Sequence, residues 1–238
     1  MCTVIIRVPV DSDEAVRVLA VRDEDPARTW QPLGPSWPER HPGVIGVRDG
    51  RAGGAWLAAA PSDGRLSVLL NRADVSTRPE SELVSRGGIV LASVGGSSPQ
   101  GHPPTHGFNL VEVEGSSARV VTWDGSSLRT TQLEPGTHMI AHEDVDDPAT
   151  ARIARWLPVF RDTPLPDGGT WWTPWLDVLA RSSELPADDE QAIIRDNRPL
   201  GYPTLSLLLC AAEVSRGDAA VHYGELRTPG EWNSLELA

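Results

Sequence analysis

The chain has 238 residues, 39% of them hydrophobic and 23% charged, which suits one soluble globular domain over residues 1–238 with a sizeable buried core. Acidic residues outnumber basic ones 33 to 21, and the formal charge of -12 repels phosphate backbones and anionic headgroups, so no nucleic-acid partner is expected. All 21 basic residues are arginine, which removes lysine Schiff-base chemistry and points to a codon-biased, bacterial source.

The chain opens "MCTVIIRVPV", a β-branched strand over Thr3 to Val10 behind a cysteine. Strands follow at Ala15 to Arg22, "GVIGVRD", "GGAWLAAAP" and Arg65 to Arg72, separated by turn clusters such as "PSDGR". Residues 80 to 95 read as a helix weakened by Gly87 and Gly88, and a loop follows with His102 and His106. "FNLVEVEG", "ARVVTWDG" and "SLRTTQLEPG" then have hairpin spacing, with turns at Glu114-Gly115 and Asp124-Gly125.

The pattern changes at Asp147, a predicted cap with Pro148 behind it, because Ile153, Trp156, Leu157 and Phe160 recur at helical spacing. A second helix starts at Thr173-Pro174, a third short one is predicted over roughly Ala187 to Arg195, and "TLSLLLCAA" and "AAVHYGEL" return to strand. Strands, helices, then strands imply an α+β protein with two mainly antiparallel sheets covered by helices. No apolar run approaches the roughly 18 residues of a membrane span. The opening segment lacks a basic n-region, and there are only two cysteines, Cys2 and Cys210, so a cytoplasmic location is expected.

Cys2 admits two readings: a buried apolar residue at a strand start, or, once Met1 is removed, a nucleophile whose own α-amine accepts the thiol proton. A tight hairpin from the first strand brings Arg22 and Asp23 of "VRDED" back beside it. His138 and His142 share a face of "THMIAHED", but no third ligand is specified and no metal or other cofactor is expected. The tryptophans of "GGTWWTPW" read either as a wall for a hydrophobic ligand or as core packing, the second being favoured.

"MCTVII", "LAVRDEDPAR", "GGAWLAA", "VLLNR", "SRG" and "GFNL" together resemble the NRDE family, which includes the transport and Golgi organisation 2 proteins, over about residues 1 to 140. That family is grouped with the N-terminal nucleophile (Ntn) hydrolases and is distantly similar to choloylglycine hydrolases and penicillin V acylases. The resemblance implies a four-layer αββα sandwich. It also implies Cys2 as nucleophile, flanked by Arg22 and Asp23, with Asn71 and Asn109 near the substrate carbonyl and oxyanion. Val21 stands where the signature has asparagine, and Pro203 where a late strand has arginine, for which Arg198 and Arg227 are the candidate replacements. The implied activity is cleavage of a non-peptide amide C–N bond in a small-molecule substrate. The alternative is a carrier that binds a hydrophobic ligand, haem or an acyl-lipid, without chemistry.

Overall fold

The computed structural model describes residues 2–238. Among the described residues, twelve strands form two antiparallel sheets, with three α-helices on their outer faces. The five-stranded sheet has the order β10-β1-β2-β11-β12, from Gly136–Ile140, Thr3–Val8, Val16–Glu24, Leu205–Ser215 and Asp218–Glu225. The seven-stranded sheet is a meander running β3 to β9: Trp30–Gly34, Ile45–Asp49, Ala55–Ala60, Arg65–Asn71, Phe108–Glu114, Ser117–Trp123 and Leu128–Gln132.

Alternation along the strands decides which sheet face meets what. In β1, Val4, Ile6 and Val8 point toward the other sheet and join Leu57, Leu66, Val68 and Val111 in the central core. Ile5 points outward instead and packs with Leu19, Val21 and Met139 under the helices α2 (Ala151–Asp162) and α3 (Thr173–Ser182). On the far side, Ala58, Leu69 and Leu110 of the seven-stranded sheet meet Val90, Leu91 and Val94 of α1 (Gly87–Val94). The layers therefore run helices, sheet, sheet, helix.

The predicted apolar stripe of α2 is buried in full: Ile153, Trp156, Leu157 and Phe160 are each 6% exposed or less. Arg7 on β1 secures the end of this helix, donating from Nη2 to the carbonyls of Phe160 at 2.7 Å and Thr163 at 3.1 Å. Trp171, Trp172 and Trp175 lie in the same core, so the tryptophan-rich segment packs α3 onto the sheet. Among the described residues, no helix is long and apolar enough to cross a membrane.

Three local expectations are corrected. The Asp147 carboxylate accepts from the Ala149 N–H in a turn, and α2 starts later, behind Thr150. Residues 187–195 form successive turns, because the three consecutive buried residues Ala192, Ile193 and Ile194 cannot share one face of a helix. The 80–95 helix shortens to α1, which begins at Gly87 after the extended Leu83. Conversely, both predicted hairpin turns form: Gly115 adopts φ 59° and Gly125 φ 88°, and the Asp124 carboxylate accepts from the N–H groups of Ser126 and Ser127.

Candidate functional site

Thr3 pairs with Val21 in the β1–β2 ladder, which sets Cys2 level with Arg22 at one end of the five-stranded sheet. Cys2 is 8% exposed, and its thiol donates to the Asp23 carbonyl at 3.6 Å. Burial pushes this thiol above its ordinary pKa, the Asp23 charge adds to the rise, and the Asp23 hydrogen bond and Arg22 oppose it. Removal of Met1, on which the amine-base reading depends, lies outside the described residues. Cys210 is also buried and free, within β11.

Arg22 and Asp23 are neighbours in the chain and face opposite sides of their sheet, as strand residues must. Arg22, 3% exposed, lies against Trp56 with its guanidinium carbon 5.6 Å from the ring centroid. Its Nη2 is 3.2 Å from Glu24 and 3.7 Å from Asp49, and Asp49 is bound in turn by Arg28 at 2.6 Å. Burial disfavours the Asp49 carboxylate, but the Ala52 N–H and Arg28 outweigh it and hold its pKa below the ordinary value.

Asp23 is received on the helical side by a buried polar cluster. Ser206 donates to its Oδ1 at 2.6 Å, and Asn197 approaches its Oδ2 at 3.5 Å. Ser206 Oγ also accepts the Arg195 N–H at 2.9 Å, and Arg195 Nε donates to Asn197 Oδ1 at 2.9 Å. Arg152 of α2 reaches the same corner and donates to the Thr3 hydroxyl at 3.0 Å. Burial pulls the Arg152 pKa down to about 10, with Asp23 opposing the fall.

The buried arginines of this corner are Arg152 and Arg195, and not the Arg198 or Arg227 that the sequence suggests. Arg198 spends its guanidinium on Asp196 at 2.6 Å, and Arg227 is exposed. A signal for Arg152 exists in the sequence: it lies four residues before Trp156, on the apolar stripe of an amphipathic helix. Ser206 has a similar signature, a hydroxyl inside the otherwise apolar run of β11.

The two asparagines part company. Asn71 lines a cavity of about 420 Å³ together with Arg22, Glu24, Asp49, Trp56 and Arg86. Asn109 is fully buried and bridges the two sheets, its Nδ2 donating to the carbonyls of Ala141 at 3.1 Å and Glu143 at 2.7 Å. Thr122 donates to its Oδ1 at 3.0 Å, so every polar atom of this amide already has a partner within the protein. Asn109 thus fixes the segment that follows β10, which contains His142 just past the last β1–β10 pair, Val4–Ile140.

Burial, then the charges of Arg152, Arg195 and Arg72, lower the His142 pKa to about 4. His138 is bound to Asp146 at 2.8 Å and to the Glu134 carbonyl at 2.9 Å. His106 lines the cavity and contacts Asp74 at 3.1 Å, while His102 rests edge-on against Trp123.

The match to known proteins falls on the N-terminal part of the chain: the family model for Transport and Golgi organisation 2 covers residues 1–157 of the 238. The chain belongs to the Transport and Golgi organisation 2 family. No curated protein matches it. The family segment contains Cys2, Arg22, Asp23, Asn71, Asn109 and Arg152, whereas Arg195, Asn197 and Ser206, which receive Asp23, lie beyond it.

Proposed function

We propose that this member of the Transport and Golgi organisation 2 family is a cysteine hydrolase of the Ntn type acting on a non-peptide amide C–N bond. The observation that carries this reading is the placement of Cys2 beside Arg22 and Asp23, with the Asp23 carboxylate held by Ser206 and Asn197. Removal of Met1 frees the α-amine of Cys2, which accepts the thiol proton while Sγ forms a bond to the substrate carbonyl carbon. The amine proton passes to the leaving nitrogen as the C–N bond breaks. Water then cleaves the thioester, giving its proton through the same amine to Sγ and releasing the acid. Asp23 orients the ammonium, Arg22 favours the thiolate, and Asn71 donates to the oxyanion. Asn109 holds the neighbouring backbone.

The test is intact-mass measurement followed by labelling with an electrophilic amide and mapping of the adduct. The expected result is loss of Met1 and a single adduct on Cys2; retained Met1 with no label on Cys2 overturns the reading.

A second reading, a carrier for haem or an acyl-lipid, is favoured by the burial of Cys2, only 8% exposed, which limits its access to a substrate carbonyl. Saturable one-to-one binding of haem or a long-chain acyl-CoA, unchanged in Cys2→Ser, supports it. Absence of binding with both rejects it.

A further inference from the structure

We propose that the cavity beside Arg22 is a binding site for a small organic monocarboxylate, held through Arg22 Nη1 and the Trp56 indole N–H. Glu24 and Asp49 both take the other terminal nitrogen of Arg22. Nη1 is buried and has no hydrogen-bond partner among the described residues, although the side chain lines the cavity. The Nε1 of Trp56, which lies under the same guanidinium and lines the same cavity, is likewise buried without a partner. Buried polar groups in folded proteins are almost always bonded, and a charged donor is costlier to leave unmatched than a neutral one.

Both groups only donate, so a ligand that completes them brings acceptor oxygens. The charge of the lining sets how many: Arg22, Arg28, Arg51 and Arg86 face Glu24, Asp49 and Glu80, an excess of four positive groups over three negative. A monoanion balances that excess and a phosphate dianion overshoots it. The N-terminus of α1 opens on the same space at Gly87 and adds a partial positive charge. Leu69, Leu83 and Val84 line the remainder, which gives the organic part of the ligand an apolar surface. The cavity holds Arg22 and Asn71 of the proposed hydrolase site, so the inference rests on that site and names the class of acid it takes; binding needs neither the Cys2 thiol nor the loss of Met1, so its failure and the failure of the hydrolase reading are distinguishable.

The test uses the full chain labelled with ¹⁵N at its nine tryptophans, Trp56→Phe identifying the Trp56 indole signal. Titration with phenylacetate is expected to move that signal in a saturable, one-to-one manner, while neutral phenylacetamide and inorganic phosphate leave it in place. Arg22→Gln is expected to weaken binding by about tenfold and Trp56→Phe, which keeps an aromatic ring, by about threefold. Equal affinity for phenylacetamide or phosphate, or a Trp56 signal that stays still at all phenylacetate concentrations, overturns the proposal. Should Arg22→Gln fail to fold, the comparison of acid with amide in the unaltered chain and in Trp56→Phe decides the matter, binding to Trp56→Phe, which lacks the indole signal, being read by titration calorimetry.

Discussion

At the scale of single residues, two histidines on one short segment respond to pH in opposite directions. His142, near 4 in the folded protein against an ordinary 6.5, is neutral when folded, so the unfolded chain takes up its proton first. Its contribution to stability is complete above about 6.5 and is lost as the pH falls toward 4. The Asp146 hydrogen bond raises His138, whose contribution is complete below the ordinary value and is lost as the pH rises through its folded value. Imidazole titration by NMR should therefore separate the two, and His142→Phe should flatten the acid side of the stability profile. A His142 titration near its ordinary value contradicts the burial described for it. The hydroxyl of Ser206 is a second checkpoint. It donates to Asp23 and accepts from Arg195, both deep in the protein, so Ser206→Ala should cost about 1–3 kcal/mol in denaturant unfolding. A loss within error of zero shows that Asp23 is held by other groups.

At the scale of elements, the close approach of α1 to β5 depends on two glycines. A Cβ on Gly54 would lie 2.4 Å from the Gly87 backbone, which no side-chain adjustment relieves. Gly54→Ala should destabilise by about 1–3 kcal/mol and loosen the cavity wall at Gly87, measurable as faster amide exchange across α1. Unchanged exchange would mean that helix and strand separate without cost. Ten of the twelve described strands and the two amphipathic helices were legible in the sequence because period-two and period-3.6 patterns report burial directly, whereas β3, which buries no residue and is interrupted by Pro32, and the five-residue β10 were not. The hairpin placing Arg22 beside Cys2 was legible for the same reason. Residues 187–195 misled because acidic turn-formers were followed by three apolar residues whose burial comes from irregular backbone. Long-range partners were illegible: nothing near Asp23 in the sequence points to Ser206 or Asn197, and nothing near Asn109 points to the carbonyls that occupy its amide. Motif spacing identifies residue types, whereas hydrogen-bond satisfaction depends on which strands become neighbours.

At the scale of the molecule, the inter-sheet core draws on both sheets, so neither can keep its apolar face covered alone. Unfolding should accordingly be a single cooperative event, with far-ultraviolet and near-ultraviolet circular dichroism giving coincident urea transitions. Two separated transitions would show that the sheets melt independently. The strand order of the smaller sheet carries a further consequence for how the protein is divided. β11 lies between β2 and β12, yet it comes from the C-terminal part of the chain, outside residues 1–157. A fragment ending at residue 157 would leave the whole β2 edge, Val16 to Glu24, with unpaired N–H and C=O groups beside the cysteine. An open edge of that length recruits other strands, so such a fragment is expected to self-associate, and the family segment is not an independent folding unit here.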